Sequence, residues 1–223
     1  MKYINIHTHK LNIHENTFEI YNKKITENFT KQHFSSGLHP WFITDENTQT
    51  EFQILKTDLN NKHCIALGEI GLDKLTNTSF EIQKEVFKKQ LELNKKIKKP
   101  VIIHCVKSFQ EIIQITKKYD YSFIIHGFNK KQELANQLLK NGFYISFGKQ
   151  LLSKENLQQV FKNIPINKLF LETDDAEISI EKIYNKAAEI KNIPLESLLL
   201  ALQNNFKTVF YESELVRTNR TFN

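Results

Sequence analysis

The chain has 223 residues, of which 40% are hydrophobic and 25% are charged. This composition is that of an ordinary soluble globular protein, and a chain of this length buries enough surface to fold without disulfides or a structural metal. No run approaches the roughly 18 apolar residues of a membrane-spanning helix, and Met1–Lys10 lacks the apolar segment of a secretory signal. Cys64 and Cys105 make no disulfide framework, so we expect a cytoplasmic protein without a membrane partner.

Basic residues outnumber acidic residues by 31 to 25, which gives a net charge of +6. An excess of positive charge suits a polyanionic partner such as nucleic acid. Nearly all of this charge is lysine, which lacks the planar guanidinium that grips phosphate with two hydrogen bonds. Lysines are equally typical of solvated helix faces, so the charge alone does not identify a partner.

Short runs of apolar and β-branched residues recur along the chain and predict strands. In chain order these runs are Tyr3–Ile6, the weaker Glu19–Tyr21, Phe34–Leu38, Cys64–Leu67, Val101–Ile103, Phe123–Ile125, Phe143–Phe147 and Leu169–Leu171. Stretches with the helical spacing of apolar residues lie between several of these runs, and a last helix follows them.

Alternating strands and helices indicate parallel pairing, and about eight such units are typical of a (β/α)8 TIM barrel. We therefore predict an α/β fold, a compact and distorted (β/α)8 barrel that forms one domain over residues 1–223. The distortion is expected early, because Lys10–Phe18 is too short for a full helix and its loops. A doubly wound open sheet is the alternative, but the glycine-rich phosphate-binding turn of that fold is absent.

Residue types that bind metals follow several predicted strands. His7 and His9 follow the first, and residues two apart in an extended chain point the same way, so both imidazoles can bind one ion. The others are Glu69, His104, His126 and Asp174. Each alone is more typical of a buried histidine, a polar surface or a helix cap. Because barrel enzymes keep their active sites at the carboxyl ends of the strands, we expect all six to converge there.

Four imidazoles and two carboxylates are enough for two divalent ions with one bridging carboxylate. Two such ions, roughly 3.5 to 4 Å apart, lower the pKa of a shared water and neutralise charge on a phosphoryl or carbonyl oxygen. Hydrolysis by a metal-activated water is the reaction class that follows. A serine or cysteine nucleophile is less favoured, because G-x-S-x-G is absent and Cys105 has no activating neighbour in sequence.

Longer motifs surround these residues along nearly the whole chain. They read HTH at His7–His9, GLHPW at Gly37–Trp41, GEIGLD at Gly68–Asp73, VIIHC at Val101–Cys105, IIHGF around His126 and LETDD with Asp174. In this order they resemble the TatD family of metal-dependent deoxyribonucleases. The resemblance implies a TIM-barrel metallohydrolase of the amidohydrolase type that acts as a magnesium-dependent nuclease from a DNA end.

The resemblance also implies a ligand set. His7, His9 and Asp174 would bind one ion, His104 and His126 would bind the other, and Glu69 would bridge the two. Asp174 would in addition take the proton from the attacking water. The ions would be Mg²⁺ by resemblance, whereas the histidine-rich ligand set suits Zn²⁺ or Mn²⁺.

Three further residues receive roles from the resemblance. His39 would line the substrate pocket and contact phosphate, although packing on Trp41 is an equally simple interpretation. Asp73 would orient a ligand imidazole, and the simpler interpretation is a loop residue that caps the next helix. Lys107 would stand in, as a point charge on substrate phosphate, for an arginine that the family usually carries near this position.

The chain also departs from the family pattern. Asn5 stands where the family usually has an acid, Val106 precedes Lys107 where the arginine is expected, and Asp175 and Ala176 replace a serine-proline. These changes affect substrate recognition and leave the predicted metal ligands intact.

Our leading hypothesis is a monomeric phosphodiesterase without an obligate protein partner that cleaves DNA or a smaller phosphodiester. The alternatives are an amide or ester hydrolase on the same scaffold, which includes an aminoacyl ester on tRNA, and a non-catalytic nucleic-acid-binding module. Many members of the wider superfamily bridge their metals with a carboxylated lysine. The bridging position here is Glu69, which favours the nuclease branch.

Overall fold

Eight parallel strands form one sheet, and their order in the sheet follows the chain. A computed structural model describes residues 2–10, 15–27, 32–44 and 48–211. The strands are β1 (Tyr3–Thr8), β2 (Thr17–Lys23), β3 (Phe34–Ser36), β4 (Cys64–Asp73), β5 (Val101–Val106), β6 (Phe123–Ile125), β7 (Tyr144–Phe147) and β8 (Leu169–Leu171). All eight predicted strands are present. Four of them, β1, β2, β4 and β5, extend beyond the apolar runs that predicted them, whereas β3 and β7 are shorter than their runs.

Helices follow β3 and every later strand in the described residues. They are α1 (Thr48–Leu59), α2 (Phe80–Asn94), α3 (Phe109–Thr116), α4 (Gln132–Lys140), α5 (Glu155–Asn163), α6 (Ile180–Lys191) and α7 (Leu195–Phe206). Sequential parallel strands with helices between them have the (β/α)8 topology, whereas a doubly wound sheet reverses its strand order partway. The predicted fold class is therefore confirmed. None of these helices, within the described ranges, is long and apolar enough to cross a bilayer.

The early part of the fold lacks regular helices in the residues that the structure describes. No helix lies between β1 and β2 or between β2 and β3 within residues 9–10, 15–16, 24–27 and 32–33. Residues 11–14 of the short segment Lys10–Phe18 lie outside the described residues.

The chain divides into two compact units. The first unit comprises Met1–Tyr21 and Ile125–Asn223, and the second comprises Asn22–Ile124. The single domain over residues 1–223 stays a prediction.

In the first unit, β1 is held by backbone bonds to the segment after β8. The Asp174 amide donates to the His7 carbonyl oxygen at 3.0 Å, and the His9 amide donates to the Asp174 carbonyl oxygen at 3.0 Å. On α6, the buried Tyr184 hydroxyl donates to the Ile4 carbonyl oxygen at 3.0 Å and accepts from the Ile4 amide at 3.1 Å. These contacts fix the strand that carries two predicted metal ligands.

In the second unit, β4 is buried along all of its ten residues. It lies between β3 and β5, and Gly71 is paired with His104 of β5. A Cβ atom on Gly71 would lie 1.9 Å from the His104 carbonyl oxygen, so only glycine fits this position. The second glycine of GEIGLD therefore allows the strand that carries Glu69 and the strand that carries His104 to pack together.

We expect Tyr184→Phe to lower the free energy of unfolding by about 1–3 kcal/mol, because the buried amide and carbonyl of Ile4 would lose their shared partner. The measurement is urea unfolding followed by circular dichroism. Tyr119→Phe is the control, since this hydroxyl donates to the exposed Glu92 at 2.8 Å and its loss should cost less. Equal stability of the two variants would contradict the role given to Tyr184.

Candidate metal centre

The predicted ligands differ in where they lie relative to the strands. His7, Glu69 and His104 lie inside β1, β4 and β5, not after them, which corrects the placement expected from sequence. The strands continue because the backbones of these residues stay in register with their neighbours, as in the pairing of Gly71 with His104. His126 directly follows β6, and Asp174 lies just beyond the end of β8.

In the first unit, the structure brings His7, His9 and Asp174 together. The Asp174 Oδ1 atom lies 3.6 Å from His7 Nε2 and 3.4 Å from His9 Nε2. The two imidazole rings meet edge to face, with their centroids 5.0 Å apart. His7 is fully buried, whereas the side chains of His9 and Asp174 are each 36% exposed. The group therefore has a buried end and an end that faces solvent.

These separations fit a divalent ion. They exceed the usual length of an N–H···O hydrogen bond, about 2.7 to 3.2 Å. Donor atoms that each lie about 2.0 to 2.2 Å from one ion are roughly 3.3 to 3.6 Å apart in tetrahedral geometry, and adjacent donors are roughly 2.8 to 3.1 Å apart in octahedral geometry. The imidazole nitrogens and the carboxylate oxygen are also ligand types that Zn²⁺ and Mn²⁺ accept. His7, His9 and Asp174 can therefore hold one ion.

His126 lies in the same unit, beside a carboxylate that our sequence interpretation missed. Its ring centroid is 4.6 Å from that of His7. Its Nδ1 atom is 3.3 Å from Glu172 Oε1, and the Gly127 amide donates to the same oxygen at 2.6 Å. Donation from Nδ1 to Glu172 gives the tautomer whose lone pair lies on Nε2, the form that binds metals.

Glu172 is fully buried, and this is the unusual feature of the pair. Among the described residues, none donates a hydrogen bond to its Oε2 atom. A buried carboxylate oxygen without a partner is unfavourable unless a positive charge compensates it. Glu172, His126 and Asp174 each offer a ligand atom within 4.8 Å of the others. Glu172 therefore belongs to the candidate metal centre, next to the predicted ligands.

Asn5 stands where the family usually has an acidic residue. Its side chain connects β1 to the segment that carries Glu172 and Asp174. Its Nδ2 atom donates to the Thr173 hydroxyl at 2.8 Å, and the Thr173 amide donates to its Oδ1 atom at 3.0 Å. An amide side chain offers both the donor and the acceptor that these two bonds require, whereas an ionised carboxylate can only accept. Asn5 thus positions the backbone between two carboxylates of the centre.

In the second unit, His104 lies between two carboxylates. Its Nδ1 atom is 2.8 Å from Glu69 Oε1, and its Nε2 atom is 3.1 Å from Asp73 Oδ2. Glu69 is held in turn by Asn22 on β2, whose Nδ2 donates to Glu69 Oε2 at 3.3 Å and whose Oδ1 accepts from the Glu69 amide at 3.0 Å. The Asn22 contact is a second feature that our sequence interpretation missed.

Asp73 has several donors around its carboxylate. Burial favours the neutral acid, but hydrogen bonds from the Trp41 indole, the Leu75 amide and His104 outweigh it and hold the pKa of Asp73 below its ordinary value. The Trp41 bond is 2.6 Å and the Leu75 bond is 2.8 Å. Asp73 therefore stays ionised and faces the imidazole that we expect it to orient. The simpler interpretation, a loop residue that caps the next helix, is wrong, because Asp73 is the last residue of β4 and α2 begins at Phe80 after its N-cap Ser79.

His39 contacts both Trp41 and the Glu69 carboxylate. The Trp41 amide lies 3.2 Å from His39 Nδ1, which makes Nδ1 the acceptor and leaves the proton on Nε2. His39 Nε2 is 3.2 Å from Glu69 Oε1, and the ring meets the Trp41 ring edge to face at 5.0 Å. In this tautomer His39 is a hydrogen-bond donor at the site.

Lys107 is exposed just after β5, in a left-handed conformation with φ of 55°.

The (β/α)8 topology with imidazole and carboxylate donors at its strand ends defines a class, the metal-dependent hydrolases built on this fold. A family model described as TatD related DNase matches residues 2–211. The chain belongs to this family, and the resemblance seen in its motifs is confirmed.

Two relatives illustrate the family. A protein of Vairimorpha ceranae (strain BRL01), named as a candidate deoxyribonuclease and TATDN1 homolog, is 30% identical over 210 residues, which cover 82% of this chain and 76% of the relative. The uncharacterized metal-dependent hydrolase YabD of Bacillus subtilis (strain 168) is 28% identical over 193 residues, which cover 78% of this chain and 75% of the relative.

Solved structures show the same fold. The crystal structure of YJJV, a TatD homolog from Escherichia coli k12, has a TM-score of 0.80 at 21% identity and covers 93% of this chain and 97% of that chain. A TatD family hydrolase from Entamoeba histolytica has a TM-score of 0.75 at 19% identity and covers 94% of this chain and 98% of that chain.

We expect the wild-type chain to bind two divalent ions. His9→Ala and His104→Ala should each bind about one ion, because each substitution removes a donor from a different cluster. The measurement is elemental analysis after dialysis against Mn²⁺ or Zn²⁺. His63→Ala is the control, since this imidazole packs on His33, with ring centroids 5.8 Å apart, and is not one of the predicted ligands. Two ions retained in both variants would contradict the assignment.

Glu172→Gln should weaken metal binding by about 10- to 100-fold, the usual effect of losing a carboxylate behind a ligand imidazole. The metal-free variant should be at least as stable as the wild type, since an amide is easier to bury than an incompletely paired carboxylate. Calorimetric titration with Mn²⁺ and thermal unfolding in chelator measure the two effects. Glu189→Gln, an exchange at an exposed acid, is the matched control, and equal metal affinity in both variants would overturn the expectation.

Proposed function

We propose that this TatD family metal-dependent hydrolase cleaves phosphodiester bonds in DNA, starting from a strand end. The arrangement of His7, His9 and Asp174 carries the proposal, because its donor separations suit a divalent ion while part of the group faces solvent. The name of the Vairimorpha ceranae relative supports DNA as the substrate. The monomeric state and the cytoplasmic location stay predictions from the sequence.

The proposed ligand set is the one that the family resemblance implies. His7, His9 and Asp174 would hold one ion, His104 and His126 would hold the other, and Glu69 would bridge them. Divalent ions bound there would acidify a water molecule and neutralise charge that develops on a phosphoryl oxygen. The family resemblance favours Mg²⁺, and the imidazole-rich donor set also suits Zn²⁺ or Mn²⁺.

Asp174 is the proposed general base. Its carboxylate is partly exposed, so a water molecule from solvent can reach it. Its backbone has a φ of 56°, and the hydrogen bonds to His7 and His9 hold this left-handed conformation. A fixed carboxylate can take the proton from the attacking water without first being ordered, which lowers the barrier to reaction.

His39 and Lys107 are the proposed contacts to substrate phosphate. The protonated Nε2 atom of His39 lies 3.2 Å from the Glu69 carboxylate, and the same N–H can donate to a phosphate oxygen. Lys107 is exposed and supplies a mobile point charge where a guanidinium would impose a fixed planar geometry. The site would therefore attract phosphate without selecting one orientation of the group as strongly as an arginine does.

The test compares three substrates with metal-loaded protein: 3′-labelled single-stranded DNA, a chromogenic phosphodiester and a cyclic amide. We expect both phosphodiesters to be hydrolysed, and Asp174→Ala to lower the rate by about 10²- to 10⁴-fold, the range for loss of a general base. Asp175→Ala is the matched control, because this neighbouring exposed acid pairs with Lys149 at 2.9 Å and has no proposed role in catalysis.

Turnover of the amide alone would replace the nuclease proposal with the amide or ester hydrolase. DNA binding that is equal in the wild type and in Asp174→Ala, without hydrolysis by either protein, would identify a nucleic-acid-binding module instead.

A further inference from the structure

Exposed apolar side chains are concentrated beside the candidate metal centre in the second unit. Among the described residues, six large hydrophobic side chains are exposed. The side chains of Trp41 and Phe42 contact His39, and a third exposed residue, Leu75, bonds to Asp73 through its backbone amide. Trp41 is 56% exposed and Phe42 is 60% exposed. Aromatic rings that remain in water next to a polar centre indicate a binding surface.

Trp41 is held in place even though much of it is exposed. Its indole N–H donates to Asp73 at 2.6 Å, and its ring centroid lies 5.6 Å from that of His104. The Phe42 ring packs against His39 at 5.6 Å, and the Phe42 amide donates to the His39 carbonyl oxygen at 3.0 Å. Both rings are therefore ordered before any ligand binds, which reduces the entropy lost on binding.

Two lysines lie in neighbouring loops of the second unit. Lys74 Nζ pairs with Glu111, so Lys107 is the cation offered to a substrate. The Lys74 amide donates to the Val106 carbonyl oxygen at 3.1 Å, so the loop after β4 lies beside the loop that carries Lys107. Lys107 is exposed, and Leu75 follows Lys74 directly. Aromatic faces next to lysines are the combination by which proteins bind single-stranded nucleic acid, with bases stacked on the rings and phosphates near the cations.

We propose that Trp41 and Phe42 form a stacking surface for unpaired bases of a single-stranded DNA substrate. This inference rests on the proposed nuclease function and adds the structural form of the substrate to it. A base-paired duplex keeps its bases stacked on each other, so its internal bases cannot lie on these rings. The surface therefore selects single strands or frayed ends, and the stacked base positions the adjacent phosphate near His39.

Trp41 is the single tryptophan of the chain, so its fluorescence reports directly on this surface. The experiment titrates the metal-loaded full-length protein with a short oligothymidine whose phosphorothioate linkages slow hydrolysis. We expect strong quenching by this oligonucleotide, and little quenching by an abasic oligonucleotide of the same backbone or by a blunt duplex. Equal quenching by the thymidine and abasic strands would overturn the stacking proposal.

Variants separate stacking from the hydrogen bond to Asp73. By fluorescence anisotropy of a labelled strand, Trp41→Ala and Phe42→Ala should each bind about 5- to 100-fold more weakly, the range for loss of one stacked base. Trp41→Phe, which keeps a ring but loses the indole N–H, should bind nearly as well as the wild type. Leu200→Ala is the control at an exposed apolar residue of α7, and it should bind as the wild type does.

The two proposals fail in different ways. If the wild type cleaves DNA but both alanine variants bind it normally, the stacking surface is wrong and the nuclease function stands. If the wild type neither binds nor cleaves DNA, the nuclease function is wrong and the stacking surface falls with it.

Discussion

Each histidine of the candidate metal centre lies against a carboxylate, and the rest of the site depends on this pairing. Asp174 faces His7 and His9, Glu172 faces His126, and Glu69 faces His39 and His104. Glu69 and Glu172 are almost completely removed from water, which is costly for a carboxylate that lacks a positive partner. Contacts with imidazole nitrogens satisfy part of the need for a partner, and divalent cations would supply the positive charge. Metal binding and the stability of these strand ends should therefore be coupled.

The fold supports this pairing with uncharged hydrogen bonds from neighbouring elements. Asn5 fixes the backbone between Glu172 and Asp174, Asn22 holds Glu69, and Tyr184 fixes β1 from α6. These side chains never contact substrate in the proposed mechanism. They keep the ligands within a narrow range of positions, as a metal site requires before it can bind its ion selectively. Trp41 is held in the same way by its bond to Asp73, so the proposed stacking surface and the proposed orientation of His104 depend on one carboxylate.

The sequence predicted the elements and the ligand types because both leave local signals. Apolar runs marked the strands, and His7, His104 and His126 stood out as polar residues at the ends of those runs. It did not predict that β4 continues to Asp73, because glycine and glutamate normally end a strand. Glu172 and Asn22 were missed for a different reason. Their partners lie about 45 positions away in the chain, at Gly127 and Glu69, and no local pattern encodes such a contact.

The central claim is that these paired donors hold two cations, and anomalous diffraction from crystals of the Mn²⁺-loaded protein tests it most directly. We expect two manganese peaks, roughly 3.5 to 4 Å apart, which is the separation typical of two-metal hydrolases. One should be bonded to His7, His9 and Asp174, the other to His104 and His126, and Glu69 should contact both. A single peak, peaks remote from these side chains, or imidazoles still bonded only to carboxylates in the loaded crystal would contradict it.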